Sequence, residues 1–188
     1  LYHEELLNIK RWMRYIVNVL EISIEKIEQI KERDFKLYLG ESYKLNSSKE
    51  LVSAITNREY EKAFKLIESG ENVNSREMKN YQTITHLICR RGDIDTLKRL
   101  IEYGADLEAL DYEFMTPLYE AIVSCNLKLL DFLIYEMHVN INHREIQSRT
   151  PFYWAACNGD IEVIDYLLDK KVDVNITSSM GRSALSKA

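Results

Sequence analysis

Glycine and proline are scarce in this chain, at 6 and 2 of 188 residues. Collagen-like repeats and proline-rich disordered stretches need both in quantity and are excluded. Cysteine is nearly absent as well: Cys89, Cys125 and Cys157 are odd in number and widely spaced, and no Cys-x-x-Cys pair occurs. That rules out a disulfide framework and a cysteine zinc site, and reduced thiols in the cytosol or nucleus are the expectation. Long apolar runs are missing too. The stretch from Tyr15 to Leu20 is broken by Asn18 and followed by Glu21, well short of the ~20 apolar residues a membrane helix needs. Basic charge is not in excess, since the net charge is −5 and the pI about 5.5. Nucleic acid is therefore not expected as a partner. No signal-peptide pattern follows Leu1. Because the chain starts without Met and stops at Ala188 inside a predicted helix, a longer parent protein is expected.

What is present is a folded, soluble composition, 46% hydrophobic and 29% charged, for one or two domains. It also holds an internal repeat. Thr116-Pro117-Leu118-Tyr119 and Thr150-Pro151-Phe152-Tyr153 lie 34 residues apart; Thr83-Ile84-Thr85-His86 lies 33 before the first, and Ser183-Ala184-Leu185-Ser186 lies 33 after the second. Each complete motif leads into a short helix, then Gly92-Asp93, Cys125-Asn126 or Gly159-Asp160, then a second amphipathic helix with the apolar step Leu100-Ile101, Leu133-Ile134 or Leu167-Leu168. Closing loops follow at Gly104 to Leu107, Val139 to Asn142 and Val172 to Asn175. A weaker first copy runs from Leu51 through Ala63 and Leu66-Ile67 to Gly70 to Asn74, without the Thr-led motif.

Local chemistry supports the frame. Thr caps a helix N-terminus, and Pro at the first helical position loses no needed donor. Gly70 and Gly104 sit where a left-handed C-cap favours glycine. Leu97, Leu100 and Ile101, like Ile164, Leu167 and Leu168, repeat at helical spacing and define one face to bury. One helix pair is too small to bury that face alone, so neighbouring copies must stack, each large aliphatic side chain contributing ~1.5 to 3 kcal/mol.

These residues resemble the ankyrin repeat, whose pattern is Gly-x-Thr-Pro-Leu-His, a helix, Gly, a second helix with Leu-Leu, then Gly-Ala-Asp-Val-Asn. The resemblance covers about residues 47–188 and implies an all-α solenoid of stacked helix–turn–helix repeats with loop or hairpin tips, its last repeat incomplete. Departures are Ile84 and Thr85 in repeat two, Cys125 at the inter-helix glycine of repeat three, and Lys171 at the glycine of repeat four. Repeat three holds one extra residue near Glu136 to His138, so its loop is expected to bulge.

Residues 1–46 form a separate N-terminal segment. Over residues 1–39 there is neither Gly nor Pro, and Leu6, Ile9, Met13, Ile16, Leu20, Ile27 and Ile30 fall on heptad-like steps. The spacing predicts helix, as one rod or with a break near Asp34. It serves as a cap on the first repeat, or as a coiled-coil or docking element that associates with a partner.

Sites for catalysis are not apparent: no phosphate loop, nucleophile elbow or His-Glu-x-x-His motif occurs, and Glu21, Glu25, Glu28 and Glu32 read as a solvated helix face. His138 and His143 lack a third convergent ligand. No cofactor or metal is expected. Asn46-Ser47-Ser48 and Asn175-Ile176-Thr177 match the glycosylation sequon by spelling only. Cys89 falls on a small buried position, whereas Cys157 is expected to be more accessible. By the resemblance, the ring of His86 bonds the neighbouring loop. The resemblance also implies a concave binding surface made of loop tips and exposed first-helix positions. The tips hold Lys79, Asn80 and Gln82, then Tyr112, Glu113 and Met115, then Ile146, Gln147 and Arg149; the first helices offer Arg90 and Arg91, Val123 and Ser124, Cys157 and Asn158. Tyr112, Met115 and Ile146 are expected as exposed apolar anchors. The expectation is a non-enzymatic protein-interaction module or scaffold, cytoplasmic or nuclear, without nucleic acid or membrane insertion. Its alternatives are a regulatory region of a larger enzyme or channel, and a structural subunit of a large assembly.

Overall fold

A computed structural model describes residues 47–77 and 79–186, which all belong to the second of the chain's two units, Ser47–Ala188. The helix expected over residues 1–39, with its seam and its docking role, lies outside the described residues. Four helix pairs follow one another: α1 (Lys49–Thr56) with α2 (Tyr60–Glu68), α3 (Ile84–Arg91) with α4 (Ile94–Glu102), α5 (Pro117–Val123) with α6 (Leu127–Asp131), and α7 (Pro151–Asn158) with α8 (Ile161–Asp169). A 3-10 turn, Ala184–Ser186, opens a fifth copy. No strand occurs among the described residues; a single antiparallel bridge joins Arg76 to Thr83.

Each first helix starts as its sequence dictates. Thr83, Thr116 and Thr150 are extended N-caps, and the Thr150 hydroxyl accepts from the Tyr153 amide at 3.2 Å. In the first copy, where the Thr-led motif is missing by spelling, Ser48 takes over and accepts from Leu51 N at 3.2 Å. Second helices are capped by Asp93, Asn126 and Asp160, which accept from Thr96, Leu129 and Val163 amides. Asn126 does more than an aspartate can, because its amide also donates to Gly92 O of the preceding repeat at 3.0 Å.

Three places in every repeat require a left-handed backbone. They are the junction between helices (Arg58, Gly92, Cys125, Gly159), the end of the second helix (Gly70, Gly104, His138, Lys171) and the tip (Tyr81, Phe114, Ser148, Gly181). Only five of these twelve positions are glycine, which accounts for how little glycine the fold uses.

First helices pack on first helices, α1 on α3, α3 on α5 and α5 on α7. Their shared core holds Leu51, Ile55, Ile84, Ile88, Ile122 and Leu133, none with solvent-exposed surface. Ala184 of the fifth copy packs on Tyr153 and Ala156. The face expected to be buried on α8 is covered only in part: Leu167 is inaccessible and Ile164 half-buried, but Leu168 stays 44% exposed, and Ile161 at the start of the helix is 65% exposed. Among the described residues only the Ala184–Ser186 turn follows α8.

The extra residue of repeat three does not bulge the loop. It is absorbed one turn earlier, where α6 passes into a π-turn at Phe132–Glu136 and Met137 N donates to Phe132 O at 3.0 Å. Val139 N then reaches Leu133 O, six residues back, where Ala105 N reaches Leu100 O, five back. A widened helical turn takes up one residue without moving the loop or its left-handed end residue, His138.

Candidate partner-binding surface

The tips are tight turns closed by their own backbone. Glu77 N donates to Gln82 O, Asp111 N to Met115 O, Glu145 N to Arg149 O and Ser178 N to Arg182 O. They are also tied to one another, since Tyr112 N donates to Asn80 O at 3.0 Å, Ile146 N to Glu113 O at 3.0 Å and Ser179 N to Gln147 O at 2.7 Å. A single backbone strip therefore runs along four tips. Asn80, Tyr112, Glu113, Ile146 and Gln147, all expected on the binding surface, form that strip.

Under the tips of repeats two and three lies a polar network. The Gln82 amide donates to Asp111 Oδ2 at 3.2 Å and to Glu120 Oε1 at 2.6 Å, while Arg90 donates through Nε and Nη2 to Glu120 at 2.7 Å each and through Nη2 to Gln82 Oε1 at 2.8 Å. Burial raises the Asp111 carboxyl pKa, against hydrogen bonds from the Met115 and Glu113 amides and from Gln82 that act to lower it. The bond to Glu120 raises the Arg90 guanidinium further above its ordinary value. His86 lies beside this network. Its Nδ1 accepts from Thr83 N at 3.2 Å and its Nε2 pairs with Met115 O at 3.0 Å, the loop contact implied for it. Burial depresses its pKa to about 4, so the ring is neutral.

A second cluster joins the third and fourth repeats. Glu145 accepts from the Gln147 and Arg149 amides and from Arg149 Nε at 3.0 Å. The Arg149 guanidinium lies 4.6 Å from the centre of the Trp154 ring, and Trp154 meets Tyr119 edge-on. The Tyr119 hydroxyl points between His143 O at 2.7 Å and Arg149 O at 2.9 Å, and burial raises its pKa.

Several expected contact residues have other work. Gln82 and Met115 are 4% and 8% exposed, so neither is a surface anchor: Gln82 satisfies two buried carboxylates, and Met115 packs inward with both its backbone polar groups bonded. Arg91 closes the C-terminus of α1 by donating to Ile55 O and Thr56 O. Tyr112 and Ile146 are half-buried, Tyr112 stacking on Tyr81 at 6.5 Å, while Lys79, Glu113, Gln147, Val123, Cys157 and Asn158 are exposed, Arg90 remains partly accessible and Ser124 is half-buried. Sequence reasoning missed Asp111, Glu120, Glu145 and Trp154. Their signal was available as charged or aromatic residues at positions that pack inward. Cys89 is fully buried, and that burial pushes its thiol well up.

Among the described residues no three His, Cys, Asp or Glu side chains converge as metal ligands, and no helix is long and apolar enough to cross a membrane. Polar groups instead hold one repeat to the next, and what they build is a helical repeat array with a continuous tip surface. Residues 51–145 match the family described as ankyrin repeats (3 copies), and residues 147–179 match a further ankyrin repeat; the chain belongs to the ankyrin-repeat family. It is similar to the palmitoyltransferase AKR1 of Lachancea kluyveri, 35% identical over 53% of this chain and 14% of that protein. It is also similar to the fowlpox virus ankyrin repeat protein FPV034, 25% identical over 86% of this chain and 38% of that one. Human Rabankyrin-5 is 34% identical over 48% of this chain and 9% of its own length. The chain spans well under half the length of each of these relatives.

Proposed function

We propose that the array is a non-catalytic protein-binding module that captures a partner on the face made by its tips and first helices. The backbone strip along the tips supports this most directly. It fixes Asn80, Tyr112, Glu113, Ile146 and Gln147 relative to one another before any partner arrives, which lowers the ordering cost of association; Lys79 stands exposed beside Asn80. Val123, Ser124, Cys157 and Asn158 extend the face onto the first helices. The exposed thiols of Cys125 and Cys157 suit a reducing compartment, cytosol or nucleus. Affinity capture from the source cell with mass spectrometry tests the reading, using Val123→Asp with Ile146→Asp as the control. Proteins held by the natural chain should be lost from the variant at an unchanged melting temperature; an identical set on both would remove this face from consideration.

The similarity to a palmitoyltransferase favours a second reading, in which the array regulates or positions an enzyme within a longer polypeptide. The full transcript discriminates between the two, since the second requires a catalytic region in the same reading frame.

A further inference from the structure

Charge is divided unevenly across the array. Along the tips and first helices (residues 47–58, 75–92, 109–125, 143–159 and 176–186) basic residues outnumber acidic ones nine to six; the second helices and closing loops (59–74, 93–108, 126–142 and 160–175) hold sixteen acidic residues against seven basic. The acidic chain thus presents a basic face on the side of its tips. Glu120 and Glu145 lie inside, paired with Arg90 and Arg149. The excess therefore rests on cations unpaired among the described residues, such as Lys79, Arg144 and Arg182, exposed on the first, third and fourth tips, while the second tip exposes Glu113.

The same face has an apolar spot. Arg90 of one first helix bonds Glu120 of the next, which shows that these two positions meet across a repeat boundary. One repeat further on, the equivalent residues are Val123 and Trp154. Val123 is 50% exposed and Trp154 half-buried under the Arg149 guanidinium. Where repeats two and three place an ion pair, repeats three and four place an aliphatic side chain and an indole.

We propose, resting on the reading of this face as the protein-binding one, that its partner is an acidic protein segment with carboxylates flanking an apolar side chain. The apolar side chain seats at Val123 and Trp154, and the carboxylates reach the cations on the tips. Complementary charge of this kind steers encounter and selects among partners. A nucleic acid fits less well: the basic excess is small and the opposite face repels a long polyanion.

Short synthetic peptides with a common Leu-Trp centre, flanked by Glu, by Gln or by Lys, test this against the full chain by fluorescence anisotropy, with single-stranded oligonucleotide as a further probe. The Glu-flanked peptide should bind best, weaken as salt is raised, and lose roughly tenfold or more in affinity to Lys79→Glu with Arg182→Glu. Lys79→Gln should give an intermediate loss, and melting curves establish that the variants fold. Equal binding of Glu- and Lys-flanked peptides, still abolished by Val123→Asp, overturns the acidic partner and leaves the binding face standing. Binding that ignores Val123→Asp overturns both. Failure of the Glu-flanked peptide to bind, or tighter binding of the oligonucleotide at the same salt, also overturns the acidic segment.

Discussion

A left-handed backbone costs an L-residue with a Cβ about 1 to 2 kcal/mol, so the seven non-glycine residues at left-handed positions hold stored strain that the array offsets elsewhere. Whether glycine would help depends on what each side chain contributes. Lys171 is exposed and ends α8, and Lys171→Gly is expected to raise stability by about 0.5 to 1 kcal/mol in denaturant titration. Phe114 has the same backbone but is 1% exposed. Phe114→Gly should therefore destabilise, because an aromatic core truncation costs about 3 to 5 kcal/mol. At Gly92 the requirement is steric as well, since an added Cβ would lie 2.8 Å from Asn126 Nδ2. His86 gives the residue scale a pH dependence. Its pKa is 6.5 unfolded and about 4 folded, so the folded chain binds fewer protons between those values. Stability is complete above pH 6.5 and falls as pH drops toward 4, by about 3 kcal/mol in all. Asp111, raised by burial, acts in the opposite sense at the acid end. The ring is isolated by comparing unfolding midpoints with His86→Asn, whose profile should be flatter. The Thr, Pro and Gly signals for helix ends were legible in the sequence because they act on their own few residues. Met115 and Gln82 were misplaced because their burial depends on a neighbouring repeat that local spacing does not describe.

At the scale of the element, the repeat survives an insertion because a helix can widen where a tied loop cannot. The loop after the second helix is held at both of its ends to the preceding loop and tip, by Asn140 N donating to Glu108 Oε1 at 2.7 Å and by His143 Nε2 at 2.8 Å from Phe114 O. The other second helices are each nine residues long. A π-turn therefore accommodates the extra residue at the place least tied to a neighbour. Period counting finds the insertion but not its seat, because the sequence register is the same whether helix or loop absorbs it. Deleting Glu136 should convert the π-turn to an ordinary α-turn, leaving the thermal midpoint within a few degrees, as about 1 kcal/mol would. Deleting Glu102 from the regular α4 should cost about 3 kcal/mol or more, because it rotates Gly104 and the loop out of register.

For the array as a whole, stability is carried between neighbours, since each pair of helices has most of its apolar face against the next pair. Two chemically identical truncations separate this from a single global core. Leu133 and Leu167 are both wholly inaccessible, but Leu133 belongs to a repeat with described repeats on either side, whereas Leu167 belongs to α8, whose flank leaves Leu168 and Ile161 exposed. Leu133→Ala opens a cavity at a junction that both sides need, and should lower the whole unfolding transition by about 2 to 5 kcal/mol. Leu167→Ala creates the same cavity in a repeat that can open alone, so part of its cost appears as local opening. Hydrogen exchange resolves the difference: amides of α7 and α8 should lose protection in Leu167→Ala while those of α3 and α5 keep theirs, and Leu133→Ala should lower protection on both sides of the break. Equal loss throughout the array in both variants would mean that the four repeats fold as one cooperative unit.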